Sequence, residues 1–191
     1  MLLYRGWWER APLALSSNIE VAWNECYDHM RMLDDGGGIY TDSPMPGTII
    51  HHNYIHDEAN ATVNPWRKAG GGAFYHDGGS TGIRNYMNVV RNPHNNRSDL
   101  LSSYTSKWQI HNVTVDHLYS DCLDKHCFGT WGCGSVEHDC PVTNLIAVNE
   151  SNISNWPAPA RAVIEGAGVR GGWGAAAAAR SAASAVAARD E

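Results

Sequence analysis

Residues 36–57 align without a gap on residues 71–92, and six of the 22 aligned positions are identical: two glycines, Tyr40/Tyr75, Asp42/Asp77, Gly47/Gly82 and Asn53/Asn88. Apolar residues match in type at alternate positions, Ile39 with Phe74 and Ile55 with Val90. Self-similarity at a spacing of a few tens of residues marks stacked repeat units. These units hold glycine turns and short alternating runs but no long 3.6-residue period, so each reads as a coil of β-strands. The fold class expected is all-β, a right-handed parallel β-helix.

A third unit precedes these two. Ile19 to Asp28 aligns with Thr48 to Asp57, which sets Asn24 in register with Asn53 and Asn88. Parallel strands of successive coils lie ~4.8 Å apart, so identical residues stack. Three asparagines in line predict an internal ladder in which each amide bonds the next, a structural rather than a catalytic role. A more degenerate coil covers Leu100 to Asp121, with Val113–Tyr119 as its strand and Leu118 in the asparagine's place. A last strand is expected through Thr143–Val148, followed by a short helix within 158–168 that ends at glycine and caps the solenoid. The β-helix domain is therefore set at 1–170, and the alanine-dominated 171–191 is a low-complexity tail. The first repeat begins almost at once, as in a chain lacking earlier N-terminal coils.

Net charge is −6, with no basic stripe to neutralise phosphates, so nucleic acid is not an expected partner. No run approaches the ~18–20 apolar residues of a membrane span. Sequons at Asn60, Asn96, Asn112, Asn149 and Asn152 suit a secreted glycoprotein, although turns rich in Asn, Ser and Thr also generate them. No signal peptide is visible at Met1–Trp8. Cys122, Cys127, Cys133 and Cys140, with His126 and His138 between them, leave three readings open. They are disulfides stapling a long loop, a zinc site with unusually loose spacing, or reduced thiols. Cys26 has a core-facing phase.

Outer sheets and edge turns of stacked coils form an elongated groove suited to a polysaccharide. Asp42 and Asp77 hold the same position one coil apart, while Asp34 and Asp35 lie on the glycine-rich entry to the first strand. Neighbouring coils supply either carboxyl separation that glycosidases use, roughly 5–5.5 Å or 6.5–9.5 Å. Asp-Gly is also ordinary turn chemistry. Tyr40, Tyr75 and His76 flank the same positions, and Trp66 in the 58–70 insertion is placed to act as a sugar platform.

The runs Leu33–Thr41 and Pro46-Gly47-Thr48 resemble the "DGGAIYT…PGT" signature of secreted right-handed parallel β-helix proteins. Phe74–Gly82 is similar to their "IYLDEGSSG" segment and Asn155–Ala162 to their closing "NWPxxA". These belong to the pectate-lyase-like superfamily and are similar to β-helical glycoside hydrolases acting on plant and algal polysaccharides. The resemblance covers about residues 18–169. It implies Asp35 and Asp77 as a catalytic acid pair, with Asp34, Tyr40, Asp42, Trp66, Tyr75 and His76 contacting sugar. The glutamate that follows the second aspartate in those proteins is Gly78 here, and Asp42 stands where they carry leucine. A glycoside hydrolase-like, extracellular monomer without a cofactor is the expectation. A polysaccharide lyase would instead need Ca²⁺ held by carboxylates and a base, for which Arg84 and Lys68 are the nearby residues. A non-catalytic carbohydrate-binding or structural solenoid is the third reading.

Overall fold

The computed structural model describes residues 2–3, 16–31, 36–57, 71–91, 99–102, 110–121, 128–129 and 140–169. Among the described residues the regular structure is twelve strands, a single 3-10 turn (Ile153–Asn155) and one short α-helix: β1 (Leu2–Leu3), β2 (Glu20–Ala22), β3 (Glu25–Tyr27), β4 (Gly36–Thr41), β5 (Pro44–His51), β6 (Tyr54–His56), β7 (Gly71–His76), β8 (Thr81–Arg91), β9 (Asp99–Ser102), β10 (His111–Ser120), β11 (Phe128–Gly129), β12 (Val142–Ala147) and α1 (Ala158–Gly166). All strand pairs are parallel. They form a five-stranded sheet, β1-β4-β7-β9-β11, and a seven-stranded sheet along β12-β10-β8-β5-β2, to which β3 and β6 belong. In chain order the strands alternate between the two sheets, with β2 and β3, and then β5 and β6, entering the seven-stranded sheet in succession.

The pairing register is the one that the internal repeat dictates. Tyr40 lies against Tyr75, Ile39 against Phe74 and Ile50 against Asn85. One cluster of side chains between the strands, including Val21, Ile39, Ile50, Ile55, Phe74, Ile83, Val113 and Leu118, forms the main core. Parallel strands buried this way read as runs of β-branched and aromatic residues.

The asparagine ladder is present. The Asn24 side-chain amide donates to Asn53 Oδ1 at 2.9 Å, and that of Asn53 donates to Asn88 Oδ1 at 3.1 Å. The same two oxygens also accept the backbone N–H of Asn24 and of Asn53. Leu118 sits in register with Asn88 and ends the ladder, as expected.

What bends the strands is a set of left-handed residues at equivalent places. Trp23, His52, Met87, His117 and Asn144 all have φ between 46 and 60° and immediately precede the ladder row. Asn18, Gly47, Gly82 and Asn112 form a second such row, and Asp28 and Asp57 a third. An L-residue at positive φ costs roughly 1–2 kcal/mol, so these bends persist because strand pairing on both sides fixes them. Gly47 and Gly82 also meet a close approach: a Cβ there would lie 2.3 Å from Asn18 Oδ1 and 2.8 Å from Pro46 Cα, respectively.

The helix expected to cap an end lies elsewhere. Ala160, Val163 and Ile164 pack on Tyr54, Val89, Tyr119 and Val148, the sheet face turned away from the main core. The helix C-terminus reaches Trp23, whose carbonyl accepts the Gly168 N–H at 2.9 Å. A row of apolar side chains from four strands offers this helix more surface than one exposed coil end would. Among the described residues no helix is long and apolar enough to cross a membrane.

Candidate functional site

Strand pairing β4–β7 brings together the two halves of the repeat that carry the acidic residues. The Tyr40 and Tyr75 rings stack at 5.1 Å and 9°. The Tyr40 hydroxyl donates to Asp77 Oδ2 at 2.5 Å, and the Gly78 N–H donates to Asp77 Oδ1 at 2.8 Å. Burial first, then the bond to Asp77 and its charge, push the Tyr40 phenol well above its ordinary value. The Asp77 backbone is fixed as well. Its N–H donates to the Thr41 carbonyl, and its carbonyl accepts the Ser80 N–H and hydroxyl. Asp77 is thus a turn residue, 4% exposed, with both carboxyl oxygens occupied.

Asp42 is different. It is 2% exposed, and among the described residues neither carboxyl oxygen has a hydrogen-bond donor. Its pKa rises to about 6, chiefly because burial disfavours the charged form and secondly because the Asp77 charge is close. The Ser43 backbone draws it partly back, yet that N–H is itself spent on the Gly78 carbonyl at 3.1 Å. Gly78 is what makes room for this carboxyl: a Cβ at position 78 would sit 2.3 Å from Asp42 Oδ1. Glycine at 78 and aspartate at 42 are therefore one steric arrangement. A carboxyl raised to about 6 is half protonated at a pH where an ordinary aspartate is ionised, and a carboxyl that holds part of its proton there can serve as an acid beside a second carboxyl.

His76, expected to meet a ligand, is turned into the core and is 2% exposed. Strand alternation explains this. Tyr40 and Tyr75 share one side, so their register successors Thr41 and His76 share the other. The Asn85 amide donates to His76 Nε2 at 3.3 Å, which assigns the ring proton to Nδ1. Nδ1–H then donates to Thr41 Oγ1 at 2.7 Å, and that hydroxyl donates to Ser80 Oγ at 3.0 Å. The chain ends where Ser80 Oγ donates to the Asp77 carbonyl at 2.7 Å. Burial lowers the His76 pKa to about 4. This histidine holds the Asp77 turn in place. Tyr75 is also buried, at 5% exposure, whereas Tyr40 is half-buried.

Thr41, Ser80 and Asn85 were not singled out from the sequence, and Gly78 stood out only as a departure from the resembled motif. The alternation that buries His76 was the available signal for Thr41; nothing in the sequence pointed to Asn85, which comes from the other sheet. Asp34, Asp35, Trp66, Cys122, Cys127 and Cys133 lie outside the described residues. Cys140 is buried and disulfide-bonded, and Cys26 is a partly buried free thiol whose pKa burial raises. Among the described residues no group of three or more His, Cys, Asp or Glu side chains gathers as a metal site would. No known protein family, curated protein or solved structure matches the chain.

Proposed function

We propose that this chain is a right-handed parallel β-helix, carbohydrate-active and glycoside hydrolase-like, that works through an aspartate pair on plant or algal polysaccharide outside the cell. Support for the solenoid comes from two all-parallel sheets visited alternately and from rows of left-handed corners at repeated positions. The observation that carries the chemistry is the raised pKa of Asp42 beside Asp77. In this reading Asp42 is the acid. It gives its proton to the glycosidic oxygen as the bond to the anomeric carbon breaks. Asp77, steadied by Tyr40 and Gly78, acts as base toward water or as nucleophile. Asp35, which the resemblance pairs with Asp77, stays a candidate for the second carboxyl. Tyr40 is the described aromatic ring best placed to touch sugar. The reaction calls for no cofactor.

One observation favours a second, non-catalytic reading. Asp77 is 4% exposed and bonded at both oxygens, as a turn aspartate is. A carbohydrate-binding or structural solenoid would need nothing more of it. The deciding experiment incubates the full chain with a panel of neutral and acidic plant and algal polysaccharides and measures new reducing ends. The hydrolase reading predicts release by the wild type and a loss of at least 100-fold in Asp42→Asn and Asp77→Asn. Binding without release, unchanged in both variants, places the protein in the second class. Unsaturated products and loss of activity with a chelator would identify a lyase.

A further inference from the structure

The last strand of the seven-stranded sheet is unlike the others in one respect. β12 keeps the register of the coils before it, with Val142 on Val115 and Leu145 on Leu118, and Asn144 repeats the left-handed corner of His117. Yet in the row where Asn53, Asn88 and Leu118 are 0–1% exposed, Leu145 is 40% exposed. β12 pairs with β10 on one edge, and no strand pairs with its other edge among the described residues. Its middle residues, Thr143 to Leu145, are all exposed. The core therefore ends in an open strand edge crowned by an apolar side chain.

Val142-Thr143-Asn144-Leu145-Ile146-Ala147 carries no charge, and Glu150 is three residues beyond it. Edge strands in native proteins are ordinarily protected by charge, proline or a bulge, and β12 has none of these. The opposite edge of the same sheet carries carboxylates: Glu20 of β2 is 70% exposed at its side chain, Glu25 belongs to β3, and Asp28, paired with Arg31, follows. Two such edges brought together would repel. With no lysine or arginine on β12 to answer those carboxylates, head-to-tail stacking of β12 on β2 and β3 has no electrostatic support. A neutral edge meeting its own copy meets no repulsion.

We propose that the β12 edge is a docking surface for the β12 edge of a second copy of this chain. The result is a closed two-fold dimer in place of the monomer that the sequence leads one to expect. Antiparallel pairing about an axis through the corner at Asn144 sets Leu145 of each copy against Thr143 of the other and covers both core ends. A six-residue edge is small against the ~800 Å² per partner of a standard interface, so association belongs in the micromolar range.

The test is sedimentation velocity on the full chain from about 5 to 200 µM at neutral pH, a range chosen for an interface of that size. The expected mass rises from 20.9 kDa for one chain toward two chains and stops there. Leu145→Lys and Leu145→Glu remain single chains throughout, with the circular dichroism and unfolding midpoint of the wild type. Hydrogen exchange of the wild type shows amide protection at 142–147 that grows with concentration, a readout that needs no variant. A single-chain mass at the highest concentration overturns the proposal. So do masses growing beyond two chains, and so does association that survives either substitution.

Discussion

Asn53 is the residue whose loss the fold tolerates least for its size. It is fully buried. Its side-chain amide donates to the Val21 and His51 carbonyls at 2.9 and 3.0 Å and to Asn88 Oδ1 at 3.1 Å. Its Oδ1 accepts both nitrogens of Asn24. In Asn53→Ala the Asn24 donors reach water, because Asn24 is exposed. The Val21 carbonyl, inside the sheet, cannot, and Asn88 Oδ1 keeps only the Asn53 N–H, at 2.9 Å. A buried polar group left without its partner costs about 1–3 kcal/mol, and the vacated amide adds a small cavity. The total comes to about 3–5 kcal/mol, a large share of the 5–15 kcal/mol typical of a domain. Asn53→Leu fills the space, as Leu118 does in the row beyond Asn88, but leaves the Val21 carbonyl and Asn88 Oδ1 each one donor short and falls in between. Asn24→Ala, at the exposed end of the ladder, costs under about 1 kcal/mol. Urea unfolding followed by circular dichroism gives all three, with the wild-type slope retained. The reasoning is refuted if Asn53→Ala costs less than about 1 kcal/mol or no more than Asn24→Ala.

Gly78→Ala destabilises the chain by about 1–3 kcal/mol, because the new methyl meets Asp42 Oδ1. Adding Asp42→Ala removes most of that penalty, and a double-mutant cycle in urea reads the coupling. His29, His52 and His76 all have pKa values lowered to about 4, chiefly by burial. Their neutral forms belong to the fold, so stability is full above pH ~6.5. It is lost as pH falls toward 4, where the unfolded chain gains protons that the native one does not hold. Unfolding midpoints measured from pH 7 to 4 therefore decline, and His76→Asn flattens part of that decline. Trp156→Ala removes a ring 2% exposed whose Nε1–H donates to the Glu150 carbonyl at 2.8 Å. The loss is about 3–5 kcal/mol, seen as early thermal unfolding.

Much of this architecture is written in the chain because repeated segments pair as parallel strands in the register of the repeat. Asn24, Asn53 and Asn88 could be aligned by eye, and alignment of identical residues on parallel strands is a contact. The strand expected at 143–148, observed at Val142–Ala147, and the leucine replacing the ladder asparagine followed from the same rule. The corners did not. Trp23, His52, Met87 and His117 share a left-handed backbone without sharing any chemistry, so nothing in their side chains announces the bend. The helix was legible, its destination not, since the apolar row of Tyr54, Val89 and Tyr119 that receives it exists only once the strands are paired. At the site, repetition placed Asp42 and Asp77 together. The unlike surroundings of the two arise only on folding: Tyr40 and the Gly78 amide serve Asp77, and among the described residues no donor serves Asp42.

The central claim is that burial, helped by the neighbouring Asp77, raises the pKa of the Asp42 carboxyl. Carbon-13 NMR titration of the Asp42 side chain tests it most directly. The account predicts a midpoint near 6 in the wild type and a fall toward the ordinary aspartate value in Asp77→Asn. A wild-type midpoint near 4, unmoved by Asp77→Asn, would contradict it.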